Sequence, residues 1–334
     1  VLTEIERRVD RMGTAEAAGR TPVIAPFRGF GRGRELLIRG RVLAEKIITR
    51  ATTAEPMWRN VLNAYRRFES DEIAGATVRA TYRDAVVETV SNPEGHFQIR
   101  LEPSIIDDTL WHEVDLVLGD GAAKAVGHVI VPPSTAAFGV ISDIDDTVIV
   151  TGATNLGQMM RSLLFENAAT RVAFEGIADL YKALHRDRNP IFYVSSSPWN
   201  LYDLLADFMA INGIPHGPMF LQDWGIDEST LLHTSHQLHK TREIQSILEY
   251  YPRLPFVLIG DSGQRDPEIY LQVIRANPGR IRVAYIRDVT AAPRDRAVGL
   301  IAEEAAVAGA EIVHVADSRA ALAHANRLGL TSAP

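Results

Sequence analysis

The sequence predicts an α/β chain, a doubly wound parallel sheet preceded by a small antiparallel β-sandwich. Three observations carry this. From residue 23 to residue 131, short β-type runs succeed one another with turn signals between them, among them Arg83-Asp84 and Asn92-Pro-Glu-Gly95. Past Pro132-Pro133 the rhythm changes to apolar runs alternating with segments of helical periodicity, as parallel strands covered on both faces require. A length of 334 residues is long for one compact domain and suits two, each with its own core.

At the N-terminal end, Leu2, Ile5, Val9 and Met12 recur at helical spacing among charges, so the tail at 1–20 holds a short amphipathic helix whose seam docks more readily on protein than on lipid. The accessory β-sandwich is placed at 21–133. Its glycine-rich Arg28-Gly-Phe-Gly-Arg-Gly33 invites a phosphate-loop reading. The next segment, 35–43, is a strand rather than a helix, and neither the dinucleotide nor the Walker spacing is present, so the glycines are read as a turn before an edge strand. Trp58, Leu62, Tyr65 and Phe68 share one face of an inserted helix at 56–68, most simply for core packing. Further strands are expected at 76–82, 85–90, 96–101, 111–118 and 124–131. In the second part, 134–334, the strands fall at 139–142, 191–194, 219–221, 256–259, 282–286 and 311–315. Helices fall near 157–165, 175–186, 198–212, 236–250, 266–276, 295–309 and 317–328.

Composition excludes several classes. With 46% hydrophobic and 23% charged residues and no run of roughly 20 apolar residues, the chain is expected to be cytoplasmic, at most peripheral to a membrane. A net charge of -7 argues against a nucleic-acid partner held by bulk phosphate attraction, although the arginines of 28–41 could face an anionic surface. Without cysteine there are no disulfides, thiolate metal sites or thiol nucleophiles, which suits a reducing compartment. The first residues lack a signal peptide's apolar core, and a start at Val1 suggests a trimmed N-terminus.

The chemistry gathers at the carboxyl ends of the predicted parallel strands, where ligands of such sheets bind. The first ends at Asp143-Ile-Asp145-Asp146-Thr147, the second at Ser195-Ser196-Ser197-Pro198, and the fourth at Gly260-Asp261-Ser-Gly-Gln264-Arg-Asp266. His239-Lys240 lies between the last two, near the start of a helix. Clustered carboxylates repel and are costly to desolvate, so the site needs a cation or a reaction that uses them. Phosphoryl transfer uses every part. One of Asp143 and Asp145 can attack phosphorus while the other handles the leaving group's proton. Asp261 completes an oxygen-rich site for a hard octahedral cation such as Mg2+. Ser195 can donate to a phosphoryl oxygen, and Ser196-Ser197-Pro198 is read as a helix N-terminus favouring an anion. Lys240 neutralises developing charge. Asp266 supports Asp261 or the metal's waters, with helix capping before Pro267 as the alternative, and Asp146 is read as a turn residue. His233, His236 and His239 are spaced by three, but such steps drift around a helix and no acid joins them, so polar helix surface, or substrate contact for those nearest Lys240, is preferred over zinc.

These residues resemble the haloacid-dehalogenase superfamily, with its Asp-x-Asp-x-Thr, Ser/Thr, Lys and Gly-Asp motifs. More closely, Asp143–Thr147, Tyr193-Val-Ser-Ser-Ser-Pro-Trp-Asn200, His239-Lys240 and Gly260-Asp-Ser-Gly-Gln-Arg-Asp-Pro-Glu-Ile-Tyr270 are similar to the App1-type, lipin-related phosphatidate phosphatases. The upstream Phe27-Arg-Gly-Phe-Gly31 resembles the domain that precedes the catalytic one in bacterial members. The resemblance implies a Rossmannoid sheet, Asp143 as the nucleophile of an aspartyl-phosphate, and Asp145 as general acid and base that also lends a backbone carbonyl to Mg2+. It further implies Ser195 and Lys240 as phosphate ligands, Asp261 as the completing metal ligand, and Thr147 as a supporting member of the first motif. Asp146 stands where much of the superfamily has Gly, which fits the App1-type pattern.

About 45 residues separate the first motif from the second, and a similar number the second from Lys240, so neither gap holds a large cap. An open site suits a headgroup at a surface or a macromolecule. Met219-Phe-Leu221, Trp224, Leu231 and Leu232 could place apolar groups beside it, or could simply pack in the core. The expected substrate is phosphatidate or a related lipid phosphate, with the β-sandwich as membrane or partner adaptor. The alternatives are a soluble or protein-bound phosphomonoester, or an interaction protein with a vestigial site. No protein partner is specified.

Overall fold

A computed structural model of the chain describes residues 21–45, 71–119, 121–149, 174–222, 232–289 and 292–331. The expected helices at 2–12, 56–68 and 157–165 lie outside them, as do Trp224 and Leu231. The chain divides into two compact units between Val131 and Pro132, at the Pro132-Pro133 pair.

The first unit is β-rich. Its strands are β1 (Thr21–Arg32), β2 (Glu35–Glu45), β3 (Asp71–Glu72), β4 (Thr77–Tyr82), β5 (Ala85–Val90), β6 (His96–Leu101), β7 (Trp111–Leu118) and β8 (Lys124–Ile130). Where an antiparallel β-sandwich is expected, the described strands pair into one hydrogen-bonded sheet in the order β3-β2-β1-β8-β7-β4-β5, with β6 also on β2. One neighbouring pair, β1 with β8, is parallel. Period-two alternation buries Phe97, Ile99 and Leu101 of β6 while Gln98 and Arg100 stay exposed, and β7 does the same with Val114, Leu116 and Leu118. Leu36 and Ile38 of β2 and Val78 and Ala80 of β4 join the same apolar cluster, so the sheet wraps a single core.

The glycine-rich segment differs from its expectation. Arg28 to Arg32 is the second half of β1, and the turn is displaced to Gly33-Arg34, where Gly33 has φ +61°. A bulge between Phe27 and Phe30 brings the two backbones so close that a Cβ on Gly29 would run into the carbonyl oxygen of Leu37, and one on Gly31 into that of Glu35. Close packing, not phosphate, calls for these glycines. Nor is β2 an edge strand, since β1 covers one side and β6 and β3 the other. The arginines nearby are engaged within the unit. Arg34 donates to Ser104 O at 3.0 Å, Arg39 to Gln98 Oε1 at 3.0 Å, and Arg41 pairs with Glu72.

The second unit is an all-parallel sheet of β9 (Gly139–Asp143), β10 (Ile191–Pro198), β11 (Met219–Gln222), β12 (Phe256–Asp261), β13 (Ile281–Arg287) and β14 (Ile312–Val315). Its order is β11-β10-β9-β12-β13-β14. The helices are α1 (Ile177–His185), α2 (Tyr202–Ile211), α3 (Leu232–Tyr250), α4 (Asp266–Ala276), α5 (Ala292–Val307) and α6 (Ser318–Arg327). Every residue of β9 and β12 is buried, as in strands covered on both faces. From β9 the chain steps outward through β10 and β11, then returns to place β12 on the other side of β9. That reversal opens a crevice beyond the carboxyl end of β9. Met219, Phe220 and Leu221 are buried in β11, so they belong to the core and do not line an opening. None of the described helices is long and apolar enough to cross a membrane.

The close approach in β1 is testable. Gly29→Ala is expected to destabilise the first unit by about 1–3 kcal/mol, as overpacking against a backbone carbonyl does, and an unchanged denaturation midpoint would refute the packing account.

Candidate active site

Asp143 is the last residue of β9 and is buried at 2% exposure, where the strand order reverses. The chain then turns at once. Asp146 adopts φ +55°, the left-handed conformation that Asp tolerates at turns, and its N–H donates to Ile149 O at 2.9 Å. The turn brings Thr147 Oγ1 back to within 3.4 Å of Asp143 Oδ2. Apolar Ile144, Val148 and Ile149 are buried around it, so the sequence alternation of acid and aliphatic residue anchors the loop.

Three other elements converge on this turn. From α3, the ammonium of Lys240 lies 2.8 Å from Asp143 Oδ1 and 2.9 Å from Asp266 Oδ1, and donates to Gln264 Oε1 at 3.1 Å. From β10, Ser195 Oγ donates to Asp145 Oδ2 at 2.6 Å, and Ser197 Oγ lies 3.3 Å from Asp145 Oδ1. After β12, the Gln264 N–H donates to Asp261 Oδ1 at 2.8 Å, while its side-chain Nε2 donates to the Asp145 backbone oxygen at 3.2 Å. Asp266, fully buried at the head of α4, uses its second oxygen to accept from the Asp261 N–H at 3.2 Å. That fold-back explains Gly260, because a Cβ there would collide with Asp266 Oδ2 and lie 2.8 Å from the Tyr270 hydroxyl.

The structure thus brings together Asp143, Asp145, Thr147, Ser195, Lys240, Asp261 and Asp266. Two expectations change. The segment 196–198 is not a helix N-terminus, because β10 continues to Pro198, a single 3-10 turn comes next at Trp199–Leu201, and α2 begins at Tyr202. By strand alternation Ser195 and Ser197 share a face and Ser196 belongs to the other, which removes the anion-binding argument made for Ser196. Ser195, expected to donate to a phosphoryl oxygen, here donates to Asp145 Oδ2. Gln264 and Ser197 were missed by sequence reasoning. Ser197 was detectable from the period-two spacing to Ser195, whereas nothing local marks Gln264. The side chains of His233 and His236 lie outside the described residues. His239 is 4.0 Å from Glu243, and burial lowers its pKa, with Glu243 opposing.

Electrostatics follow from burial. Desolvation raises the Asp143 carboxyl well above its ordinary range, with the Lys240 ammonium opposing the shift and Asp266, Asp145 and Asp261 reinforcing it. Burial also raises Asp145, against the two serine hydrogen bonds and Lys240. Asp261 is pushed up to about 7, by burial first and the Asp266 charge second. Burial pulls Lys240 down, but Asp143 and Asp266 more than offset it and hold the ammonium above its ordinary value. Oxygens of Asp143, Asp261 and Asp266 all lie within 4.8 Å of one another, and Asp261 Oδ2 is buried without a hydrogen-bond partner among the described residues. A cluster of hard oxygens with an unsatisfied carboxylate atom fits a divalent cation such as Mg2+. Asp261 offers the open oxygen, whereas both Asp266 oxygens are taken up by Lys240 and the Asp261 N–H, and Asp143 shares Oδ1 with Lys240 and Oδ2 with Thr147.

Comparison with known proteins adds an independent line. Residues 138–288 match the family model described as "Phosphatidate phosphatase APP1, catalytic domain". Phosphatidate phosphatase APP1 of Saccharomyces cerevisiae is 35% identical over 155 residues, covering 46% of this chain and 26% of its own length. An uncharacterized protein of Schizosaccharomyces pombe is 28% identical over 245 residues, 68% of this chain and 40% of the relative. The chain thus spans well under half the length of these curated relatives. A carbohydrate acetylesterase from Xanthomonas citri aligns over 76% of this chain and 66% of its own with a TM-score of 0.29 and 8% identity, too distant to bear on fold or function.

The raised Asp261 carboxyl gives a pH prediction. Its folded pKa, about 7, stands above the unfolded value near 4, so protonation favours the folded state. That contribution is full below about pH 4 and is lost as pH rises to about 7, at roughly 1.4 kcal/mol per unit of pKa difference. In chelator, thermal melts from pH 5 to pH 8 should show the wild type losing more stability than Asp261→Asn. Parallel curves for the two proteins would remove the assignment.

Proposed function

We propose that this chain, whose residues 138–288 are an App1-type catalytic domain, is a Mg2+-dependent phosphatidate phosphatase that works through an aspartyl-phosphate. The observation that carries this is the buried Asp143, held 2.8 Å from the Lys240 ammonium where the strand order reverses, with the carboxylate of Asp145 two residues on secured by two serine hydroxyls. Support for the substrate comes from the S. cerevisiae relative's name and from the matched region.

The side chains account for a two-step hydrolysis. Asp143, whose carboxylate form the Lys240 ammonium favours, and a bound cation would favour further, against the burial that raises its pKa, attacks phosphorus in that form, and the bond from phosphorus to the leaving oxygen breaks. Burial favours the protonated form of Asp145, which gives its proton to the departing oxygen, releasing diacylglycerol. Asp145, now ionised, takes a proton from water as that water attacks the phosphorus of the aspartyl-phosphate, freeing inorganic phosphate and restoring Asp143. Lys240 balances the negative charge spread over the equatorial oxygens. Ser195 and Ser197 orient Asp145 between its two duties. Asp143, Asp261 and the Asp145 backbone carbonyl would hold Mg2+, which when bound screens the clustered carboxylates and offers positive charge to a phosphate oxygen. A lipid substrate places the chain at a membrane surface as a peripheral protein.

Phosphate release from phosphatidate in mixed micelles, compared with lysophosphatidate, sugar phosphates, nucleotides and phosphopeptides, checks the assignment. Wild type with Mg2+ should favour the lipid esters, and chelation or Asp143→Asn should lower turnover by at least about 10³-fold, since loss of a covalent nucleophile removes the pathway. Far faster turnover of soluble esters would overturn the lipid assignment while leaving phosphomonoester hydrolysis intact.

A further inference from the structure

Gln264 has no part in the hydrolysis itself, yet it touches three residues that do. Its backbone N–H donates to Asp261 Oδ1 at 2.8 Å, its Oε1 accepts from Lys240 Nζ at 3.1 Å, and its Nε2 donates to the Asp145 backbone oxygen at 3.2 Å. The two side-chain partners have opposite needs. An ammonium can only donate and a peptide carbonyl can only accept, so the side chain between them must present an acceptor to one and a donor to the other. A primary amide does this in a single orientation. Glutamate would satisfy Lys240 and repel the carbonyl, and an aliphatic side chain would leave both ends without this partner.

From this polarity we infer that Gln264 is a positioning residue for the proposed phosphatase reaction, a latch that holds the Asp143–Thr147 turn and the Lys240 ammonium in one register. The need is specific to this site. Lys240 comes from α3 and Asp145 from the turn after β9, and Gln264 belongs to a third segment, the loop after β12. Asp143 and Asp266 both attract the ammonium, from the nucleophile's side and from the head of α4. Their pull alone leaves open how far the ammonium leans toward each. The amide adds a third, neutral acceptor that sets its direction without adding negative charge to a buried cluster already crowded with it. At its other end the amide fixes the carbonyl of Asp145, the same residue whose carboxylate the two serines hold. The general acid and base is therefore held from both its backbone and its side chain. Because Gln264 also lends its N–H to Asp261, the carboxylate proposed to hold the cation is tied to the same residue.

The inference rests on the phosphatase reading for its kinetic arm and stands without it for its binding arm. The probes are MgCl2 titrated calorimetrically into the metal-free chain, and phosphate release from phosphatidate micelles, for wild type, Gln264→Leu and Gln264→Glu. Loss of an outer partner of a metal ligand or catalytic group commonly costs 10–100-fold in affinity or activity. Gln264→Leu should lower kcat by about that factor with KM changed less than about threefold, and weaken Mg2+ binding by about tenfold. Gln264→Glu, which keeps the acceptor for Lys240 and loses the donor to Asp145, should fail to restore kcat. The melting temperature of the Mg2+-loaded variants should stay within a few degrees of wild type, separating positioning from general unfolding. Wild-type kcat and Mg2+ affinity in Gln264→Leu, or full kcat in Gln264→Glu, would overturn the latch. If wild type releases phosphate from no ester, the function falls, and the Mg2+ titration still judges Gln264.

Discussion

The second unit depends on one buried ammonium. Lys240 is 4% exposed and bound to both Asp143 and Asp266, which are themselves buried. An isolated charge in such a place would neutralise or drive the structure apart, and so would any of the carboxylates without the lysine. Breaking a buried pair by deleting one partner commonly costs about 3–5 kcal/mol, because the other charge is stranded. The arrangement is therefore a poor choice for stability alone. It concentrates negative oxygens around a single cation at the point where the sheet opens, and that is useful to a reaction that binds phosphate.

Much of the surrounding fold can be understood as the means of holding that pair. The all-buried strands β9 and β12 deliver Asp143 and Asp261 side by side, and the outward-then-return path of the sheet leaves the space above them free. Asp266 can reach back under Asp261 only because Gly260 has no side chain, and Tyr270, whose hydroxyl donates to Ile259 O at 2.7 Å, closes the floor below it. The serines of β10 reach Asp145 because that strand stays extended through Pro198. Had a helix begun at Ser196, as the run Ser-Ser-Ser-Pro suggested, the two hydroxyls would not have shared a face.

Where sequence reasoning succeeded and failed divides along physical lines. The parallel strands of the second unit were legible because burial on both faces forces short, nearly continuous apolar runs, as in Val140-Ile141 or Phe256-Val-Leu-Ile259. The helix pattern was legible for the corresponding reason at period 3.6, as at α1 and α6. The Arg28–Gly33 segment was misread because glycine marks both turns and close strand approaches. Deciding between them required knowing that the carbonyls of Leu37 and Glu35 stand opposite. Met219-Phe-Leu221 could have edged a cleft or filled a core, and only strand pairing placed it in the core.

By itself the sequence determined which chemistry the chain could carry. Carboxylates clustered at the end of an apolar run, a serine-rich strand end, a lysine and a second acidic loop are covalent facts, and their order along alternating strands and helices already selected a parallel sheet with its polar ends together. Tertiary structure decided how those groups divide their work. It turned Asp266 toward Lys240, gave Ser197 a place beside Ser195, denied Ser196 a helix N-terminus, and put Gln264 between an ammonium and a carbonyl. Hydrogen bonds across more than 100 residues of chain, such as Gln264 to Asp145, depend on directions that no local pattern encodes. Such contacts arise only when separate strands and loops are packed against one another.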